Sequence, residues 1–378
     1  MQDQIREQLI AMFNCGVEAV EGFAATQRTL QQTPYAPDFV LAVGKAASGM
    51  CAGALSALAA QGCHPKALLV TKYDHTDAEM TAHSDVTVIE SAHPVPDQNS
   101  LHAGAQMLQA VQAMPAGSKL LLLVSGGTSS LAEALPAEVS LEQWQQLTQQ
   151  MLSAGFDIAQ INARRKETSL IKDGKLLQHF GGAQVRVMAI SDVEGDSISV
   201  IGSGTGDTAR TQAKASIELI GTNSVARQAV LAKAEALGFS VQCNLENLYC
   251  DVNEAVQRVA EQLDQAAPGV YIFGGEPTVE LPPNPGSGGR NQALALGLAV
   301  ALAGRDHINI LVAGTDGSDG PTDAAGGIVD TSTAVDSAAA EDALRRADAG
   351  SFLRACGDIF ITGPTNTNVM DLTIAIVE

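Results

Sequence analysis

Short apolar runs that alternate with helical stretches constrain the fold of this chain most strongly. Each run has five or six residues, is rich in Leu or β-branched residues, and is apolar on both faces, as in strands buried in a parallel sheet. The runs are 38–43, 67–71, 86–90, 119–124, 185–190, 215–220, 269–273, 308–313 and 358–362. Helical patterns cover 46–60, 100–113, 141–153, 224–237, 252–266 and 291–303. The pattern predicts an α/β protein with sheets covered on both faces and ligands at the carboxyl ends of strands.

Charge and composition narrow the function classes. The chain has 378 residues, 46% of them hydrophobic, which suits two domains or one large domain. Its formal charge is −20 and its few cations form no cluster, so we expect no nucleic-acid partner. No apolar stretch reaches the roughly 18 residues of a membrane span, so we expect no membrane partner. The six cysteines form no CxxC pair, which favours a reducing cytoplasm.

Four predicted strands end in glycine-rich segments. These ends are Gly44 before Lys45, SGGTSS at 125–130, GGEPTVE at 274–280 and GTDGSDGPTDAAGG at 314–327. Glycine allows backbone to approach a ligand closely, and the free N–H groups of a following helix can face an anion. One such turn is weak evidence, but four at strand ends indicate a ligand site.

The SGGTSS segment is the strongest candidate for binding phosphate or carboxylate. Its backbone N–H groups and hydroxyls (Ser125, Gly126, Gly127, Thr128 and Ser129) can surround an anion. The alternative is an ordinary strand-to-helix turn with a Ser or Thr cap. The segment is neither a GxxxxGK[ST] phosphate loop nor a GxSxG nucleophile elbow.

Two positively charged residues lie at predicted helix starts, where a positive charge is unfavourable. Lys45 and Arg290 each lie at a predicted helix start, where they oppose the helix dipole. An anionic ligand would offset that cost, and Arg290 offers a planar fork for carboxylate or phosphate. The alternative for Lys45 is a solvated surface lysine, and the alternative for Arg290 is a surface arginine packed over the first helical turn.

Carboxylates follow three of the predicted strands. In SDVEGD, Asp192, Glu194 and Asp196 could hold Mg²⁺ through water and phosphate oxygens, or could form a solvated turn. Glu276 also follows a strand. The segment 314–327 fails as an EF-hand loop because Ser318, Gly320 and Gly327 occupy ligand positions. It is therefore interpreted as a flexible acidic strand end that can approach a metal–phosphate group or accept a hydroxyl proton.

The motifs together resemble a known family. VGKAASGM, SAHPVPDQNSLHAG, VSGGTSSL, ISDVEGD, GGEPTVE, GSGGRNQALALGLA, GTDGSDGPTDAAGG and TGPTNTNVMDL occur in this order in glycerate 2-kinases with a C-terminal MOFRL domain. The resemblance implies an N-terminal Rossmann-like parallel-sheet domain at 1–248, a smaller mixed-sheet MOFRL domain at 249–378, and a cleft between them. It also implies transfer of the γ-phosphoryl group of ATP to the 2-hydroxyl of D-glycerate, giving 2-phosphoglycerate, with Mg²⁺ as cofactor.

The resemblance also assigns roles to residues. It makes Lys45, Arg290 and Asp316 catalytic and Asp192 and Asp319 metal ligands. It places Ser125, Gly126, Gly127, Thr128, Ser129, Glu276 and Asn291 around phosphate or nucleotide. Which Asp is the base and which binds Mg²⁺ stays open, as does a homodimer.

Two segments depart from the family pattern. RRKETS at 164–169 has Glu167 and Thr168 where the family often has a His, and GSGTGD at 202–207 replaces a Ser-Gly-Pro-Thr. A catalytically impaired member that binds a small anion is therefore one alternative. An NAD(P)H-dependent hydroxypyruvate reductase, a name some family members carry, is another, although GSGTG has the wrong spacing for a dinucleotide fingerprint.

Overall fold

The computed structural model describes residues 2–153, 158–264, 266–305 and 307–378, which form helices and two sheets. The helices are α1 (Gln2–Val20), α2 (Gly22–Gln32), α3 (Ala47–Ala60), α4 (Ala78–Ala82), α5 (Gln98–Ala113), α6 (Thr128–Leu131), α7 (Leu141–Ser153), α8 (Ile158–Thr168), α9 (Lys175–Gln178), α10 (Asn223–Ala236), α11 (Val252–Leu263), α12 (Arg290–Ala301), α13 (Ser337–Arg345) and α14 (Ala349–Cys356). The strands are β1 (Phe39–Val43), β2 (Lys66–Lys72), β3 (Val86–Ser91), β4 (Lys119–Val124), β5 (Gln184–Ile190), β6 (Lys214–Gly221), β7 (Val241–Leu248), β8 (Gly269–Gly275), β9 (Ile308–Gly314), β10 (Gly326–Val329), β11 (Ile359–Phe360) and β12 (Asp371–Val377).

The chain divides into two compact units. The parallel-sheet unit is Glu21–Thr222, and the mixed-sheet unit combines Met1–Val20 with Asn223–Glu378. The predicted division at 248/249 falls between β7 and α11, which both belong to the mixed-sheet unit because β7 pairs with β8. The compact units and the predicted domains therefore differ for α1 and for residues 223–248.

The parallel-sheet unit contains six parallel strands in the order β3-β2-β1-β4-β5-β6. Its central strands are the Leu- and Val-rich runs predicted from the sequence, and Leu41, Leu122 and Val187 are fully buried between strands and helices. Strand β6 differs from the prediction of burial on both faces, because it lies at the edge and Ile217 is 41% exposed. The Rossmann-like parallel sheet is confirmed.

The mixed-sheet unit contains six strands in the order β11-β10-β9-β12-β8-β7. The prediction of parallel pairing for the runs at 308–313 and 358–362 is wrong. Strand β9 pairs antiparallel with both β10 and β12, β11 pairs antiparallel with β10, and only β7 and β8 pair in parallel. The cause is β12, a fully buried strand that the sequence patterns did not single out.

Helices cover both sheets, so the predicted two-domain α/β class is confirmed. In the mixed-sheet unit α11 and α12 share one apolar core with residues of β8 and β9, and α1 packs on α10. The α1 ring of Phe13 meets Phe360 edge to face at 5.4 Å. Among the described helices none alone is long and apolar enough to cross a membrane, although the bent pair Asp3–Val20 and Gly22–Gln32 meets those limits together.

Candidate functional site

The strand order of the parallel-sheet unit places a topological switch point between β1 and β4, where ligands bind in doubly wound folds. Two of the predicted glycine-rich ends meet there. The Lys45 N–H donates to the Gly126 carbonyl at 2.8 Å, and the Ala46 N–H donates to the Ser125 hydroxyl at 3.1 Å. The segments after β1 and β4 therefore form one continuous surface.

The SGGTSS segment offers its backbone rather than its hydroxyls. Across the described ranges, the N–H groups of Gly126, Gly127, Thr128 and Ser129 donate to no protein acceptor. Gly127 has a φ of 82°, and such runs of free N–H groups form anion-binding nests. The Thr128 hydroxyl is buried and donates to main-chain carbonyls, and the Ser125 hydroxyl accepts from Ala46. Helix α6, which follows, has only four residues.

Asp192, which follows β5, lies directly against this nest. A Cβ atom at Gly126 would be 2.0 Å from its Oδ2 atom, so no side chain is possible there without moving the carboxylate. A single carboxylate beside a phosphate nest suits Mg²⁺ that is held mainly by phosphate oxygens and water. Groups of three or more His, Cys, Asp or Glu that could hold a metal do not occur among the described residues.

His93 belongs to the same surface, although we did not single it out from the sequence. A Cβ atom placed on Gly127 would lie 3.4 Å from Nε2 of the His93 ring and 3.0 Å from Cγ of Lys45. Burial, followed by the charges of Lys45, Lys72, Arg165 and His75, lowers the pKa of His93 to about 4. His93 is therefore a neutral imidazole at physiological pH, in a positive environment within a chain of charge −20.

The pKa of His93 gives a direct test. We expect an NMR titration of its ring signals to show a midpoint near pH 4, with His93→Asn used to assign the signals. The unfolded chain binds this proton near pH 6.5, so the free energy of unfolding falls as the pH drops from about 6.5 to 4. A midpoint near 6.5 would show that His93 is solvated and does not sense the neighbouring cations.

The two departures from the family pattern lie next to the nest. The Ser129 and Ser203 hydroxyls are 2.8 Å apart, and the Ser203 hydroxyl donates to Asn162 Oδ1 at 3.2 Å. Asn162 also accepts from Arg165 at 3.5 Å. Ser203 belongs to GSGTGD, and Arg165 to RRKETS. Both segments therefore shape the surroundings of Ser129, whereas Glu167 lies exposed and pairs with Arg164.

In the mixed-sheet unit, the site is organised by Arg290 at the first residue of α12. Its Nε and Nη2 donate to both oxygens of Asp371 at 2.6 and 3.0 Å, and its Nη1 lies 3.0 Å from Glu276 Oε1. Burial disfavours the charge, but Asp371, Glu276 and Asp319 outweigh it and raise the pKa of Arg290. The guanidinium is thus hydrogen-bonded to Asp371 through two of its N–H groups and ion-paired with Glu276.

Asp371 is a site residue that the sequence analysis missed. It opens β12 and lies opposite Gly275 at the end of β8 and Gly314 at the end of β9. Because β12 runs antiparallel between these strands, its first residue lies at the edge where they end. The only sequence signal was its presence at the end of TGPTNTNVMDL.

Asp319, predicted as a metal ligand, accepts hydrogen bonds from the first turn of α12. Its two oxygens accept from the N–H groups of Asn291 and Gln292 at 3.0 and 2.8 Å and from the Gln292 side chain at 2.8 Å. It is 3% exposed, and burial raises its pKa to about 6 despite these hydrogen bonds. The geometry favours a structural role that holds Arg290 and Asn291 in place.

Asp319→Ala separates the two roles. We expect it to lower the free energy of unfolding by about 2–4 kcal/mol, because the helix loses its cap and the buried Gln292 amide loses one of its acceptors. The loss should be the same with and without Mg²⁺ in denaturant titrations. A loss seen only when Mg²⁺ is present would support the metal-ligand role.

The glycine-rich segment at 314–327 is more ordered than predicted. Its first residue ends β9, and Gly326 and Gly327 belong to β10. A Cβ atom on Gly317 would be 2.0 Å from the Gly363 carbonyl, so this glycine serves backbone packing. Asp316 accepts from the Ser318 N–H and hydroxyl at 2.9 and 3.0 Å and remains half-buried. The predicted flexible strand end is thus a packed turn that presents Asp316.

Asn291 is the most unusual polar residue of this unit. Its side chain is fully buried, and neither amide atom has a hydrogen-bond partner in the described part of the chain. A Cβ atom placed on Gly314 would lie 3.3 Å from Asn291 Nδ2 and 3.4 Å from Asp316 Oδ1. The structure thus collects Glu276, Arg290, Asn291, Asp316 and Asp319 at the ends of β8 and β9.

These two groups of residues define a two-unit α/β protein that carries ligand-binding groups at the carboxyl ends of its strands. Residues 8–235 match the family described as domain of unknown function DUF4147, and residues 269–371 match the MOFRL family. The chain belongs to the family of two-domain proteins that combine DUF4147 with MOFRL, the glycerate 2-kinase family. The family predicted from the motifs is confirmed.

Relatives extend over the whole chain. A D-glycerate 2-kinase of Thermotoga maritima is 34% identical, covering 99% of both chains. The crystal structure of glycerate kinase from Thermotoga maritima superposes with a TM-score of 0.90 and 32% identity over 100% of both chains. A protein of Agrobacterium vitis, provisionally named a hydroxypyruvate reductase, is 29% identical over 97% of this chain and 93% of its own length.

Proposed function

We propose that this protein transfers the γ-phosphoryl group of ATP to the 2-hydroxyl of D-glycerate, giving 2-phosphoglycerate and ADP. The observation that carries the proposal is the nest of four free N–H groups with Lys45 and Asp192 beside it. The names of the full-length relatives support glycerate as the substrate. Strand order alone would suit a dinucleotide as well, but a fold does not determine a function.

In the parallel-sheet unit, the nest and the Lys45 ammonium group bind anionic oxygens of a phosphoryl or carboxylate group. Phosphoryl transfer depends on positioning and charge neutralisation, which such fixed N–H groups supply without reorganisation. Asp192 is the residue that would hold Mg²⁺, whose charge offsets that of the phosphates. Neutral His93 adds a hydrogen-bonding group beside Lys45 without adding charge.

In the mixed-sheet unit, Arg290 binds a substrate oxygen with its guanidinium group, while Asp371 and Glu276 fix its orientation. Asp319 is buried against the first turn of α12, whereas Asp316 is only half-buried. Asp316 is therefore better suited to accept the proton of the glycerate hydroxyl. The geometry thus favours Asp316 as the base between the two aspartates that the sequence left open.

Incubation with ATP, Mg²⁺ and D-glycerate, followed by ³¹P and ¹H NMR, tests the proposal. We expect a phosphomonoester coupled to the C2 proton. A signal coupled to the C3 protons would mean the wrong regiochemistry, and no new ester would contradict kinase activity. Hydroxypyruvate with NADH or NADPH serves as the parallel assay, in which oxidation of the cofactor would favour the reductase.

Gly126→Ala tests the assignment of the nest. The new methyl group would collide with Asp192 Oδ2, so the carboxylate must move. We expect kcat/KM for ATP to fall by about a hundredfold, the cost of a small displacement at a reacting centre. Gly181→Ala is the matched control in the same unit, because its Cβ would meet nothing within 4 Å. Equal activity of both variants would remove Asp192 and the nest from the site.

A further inference from the structure

A cavity of about 750 Å³ lies within the mixed-sheet unit, next to the residues around Arg290. Its lining begins at Asp251, just after β7, and at Val279, just after β8. It therefore lies at the carboxyl ends of the two parallel strands, the edge where α/β sheets bind ligands. A smaller cavity of about 390 Å³ lies at the amino-terminal ends of β1, β2 and β3, the opposite kind of position.

The walls of this cavity are apolar and come from four elements. Val252 of α11, Ala293 of α12 and Leu344 of α13 face it, together with Val279 and Leu281 of the segment after β8. Leu281 is 63% exposed. The volume falls in the range of pockets that bind drug-sized molecules, and such walls suit a flat, weakly polar ring.

The polar groups of the cavity select against phosphate and in favour of hydroxyl or amino groups. Asp251, Glu280 and Glu341 contribute three carboxylates, and Arg345 contributes the one cation of the lining. Arg345 is itself paired with Asp342. A net negative rim repels a triphosphate, whereas carboxylates accept hydrogen bonds from ribose hydroxyls and from an exocyclic amine.

One wall of the cavity ends next to Arg290, and this position would orient a bound ligand. Gly288 and Gly289 line it, and Arg290 is the next residue. A ligand that places a ring among the apolar walls and hydroxyls at the carboxylates can therefore extend along these glycines toward the first residue of α12. A nucleoside with a phosphate chain has this order of groups.

We propose that this cavity binds the nucleoside part of the phosphoryl donor, with the base between Val252, Val279 and Leu344, the ribose at the carboxylates, and the phosphates directed toward Arg290. The proposal rests on the proposed use of ATP and adds the unit and the residues that hold its adenosine part.

Photolabelling locates the nucleoside directly. We expect 8-azido-ADP, after irradiation and peptide mass spectrometry, to label residues within 279–293 or 341–349, and excess ADP to suppress the label. Label found only within 21–222 would overturn the proposal, and so would the lack of any ADP-sensitive label. Because this readout needs no turnover, it separates the cavity from the kinase reaction.

A cavity-filling variant provides the kinetic test. Leu344→Trp should raise the KM for ATP by about tenfold or more and leave the KM for glycerate nearly unchanged. Ala338→Trp is the control on the same helix, at an exposed position. If the wild type phosphorylates glycerate and both variants keep its KM for ATP, the cavity is not the nucleoside site, although the proposed function stands. If ADP labels the cavity but glycerate is not phosphorylated, the proposed function fails and the nucleoside site stands.

Discussion

Lys172→Met is expected to lower the free energy of unfolding of the parallel-sheet unit by about 3–5 kcal/mol, the usual cost of removing one partner of a buried ion pair. Lys172 and Glu133 are both fully buried, and the Lys172 ammonium group donates to Glu133 Oε2. The other oxygen accepts from the Ala134 N–H at 3.0 Å. Without the lysine, Glu133 must remain charged without its cation or take up a proton.

Burial is the larger influence on the lysine itself. It lowers the pKa of Lys172, while the charge and hydrogen bond of Glu133 act in the opposite direction. Glu133 follows α6, and Lys172 follows α8, so the pair joins the segment after the nest to the segment after RRKETS. The variant should therefore reduce activity in addition to stability.

Two further variants serve as controls for this prediction. Arg164→Met breaks an exposed ion pair with Glu167 in the same unit and should cost less than about 1 kcal/mol. The double variant Lys172→Met/Glu133→Gln removes both charges and should recover much of the loss in urea titrations. If the single and double variants were equally unstable, packing and not the unpaired charge would account for the effect.

Arg290→Lys is expected to lower kcat/KM for glycerate by about 10²–10³-fold, because an ammonium group cannot replace the bidentate fork that meets Asp371 and still reach a substrate. The charge is kept, so stability should change little. Arg290→Ala is less informative, since Asp371 is 4% exposed and would lose its cationic partner. Steady-state kinetics and thermal unfolding of the lysine variant measure both effects.

The matched control is Arg258→Lys. Arg258 pairs with Glu254 on an exposed face of α11 in the same unit, so its substitution should leave kcat/KM unchanged. If Arg290→Lys retained the activity of this control, Arg290 would serve the fold alone. Asp371→Asn should resemble Arg290→Lys in kinetics, because it loosens the same guanidinium.

Local pattern was sufficient to predict the parallel-sheet unit but not the mixed-sheet unit. Apolar runs such as 119–124 specify burial on two faces, and parallel strands with crossover helices satisfy it. The run 308–313 is also mostly apolar, yet it pairs antiparallel with β12. Strand direction depends on which segments meet, and nothing within six residues encodes that.

The candidate-site residues that directly follow a strand could be predicted from the sequence. Lys45 and SGGTSS follow β1 and β4, and the sheet brings neighbouring ends together. Asp319 shows the limit, because a carboxylate in a glycine-rich loop can bind a metal or cap a helix, and only the burial of α12 distinguishes them. The sequence did not identify His93 or Asp371, because neither belongs to a repeating pattern. Their places in the site depend on tertiary contacts.

The position of β12 has a consequence for synthesis on the ribosome. This strand lies in the middle of its sheet, between β8 and β9, but follows every other strand in the sequence. Helix α1, which belongs to the same unit, precedes all of these strands. The parallel-sheet unit can therefore fold while translation continues, whereas α1 and five strands of the other sheet must wait for the sixth. During that interval, β8 and β9 each expose an unpaired edge, the kind of surface that chaperones protect from aggregation.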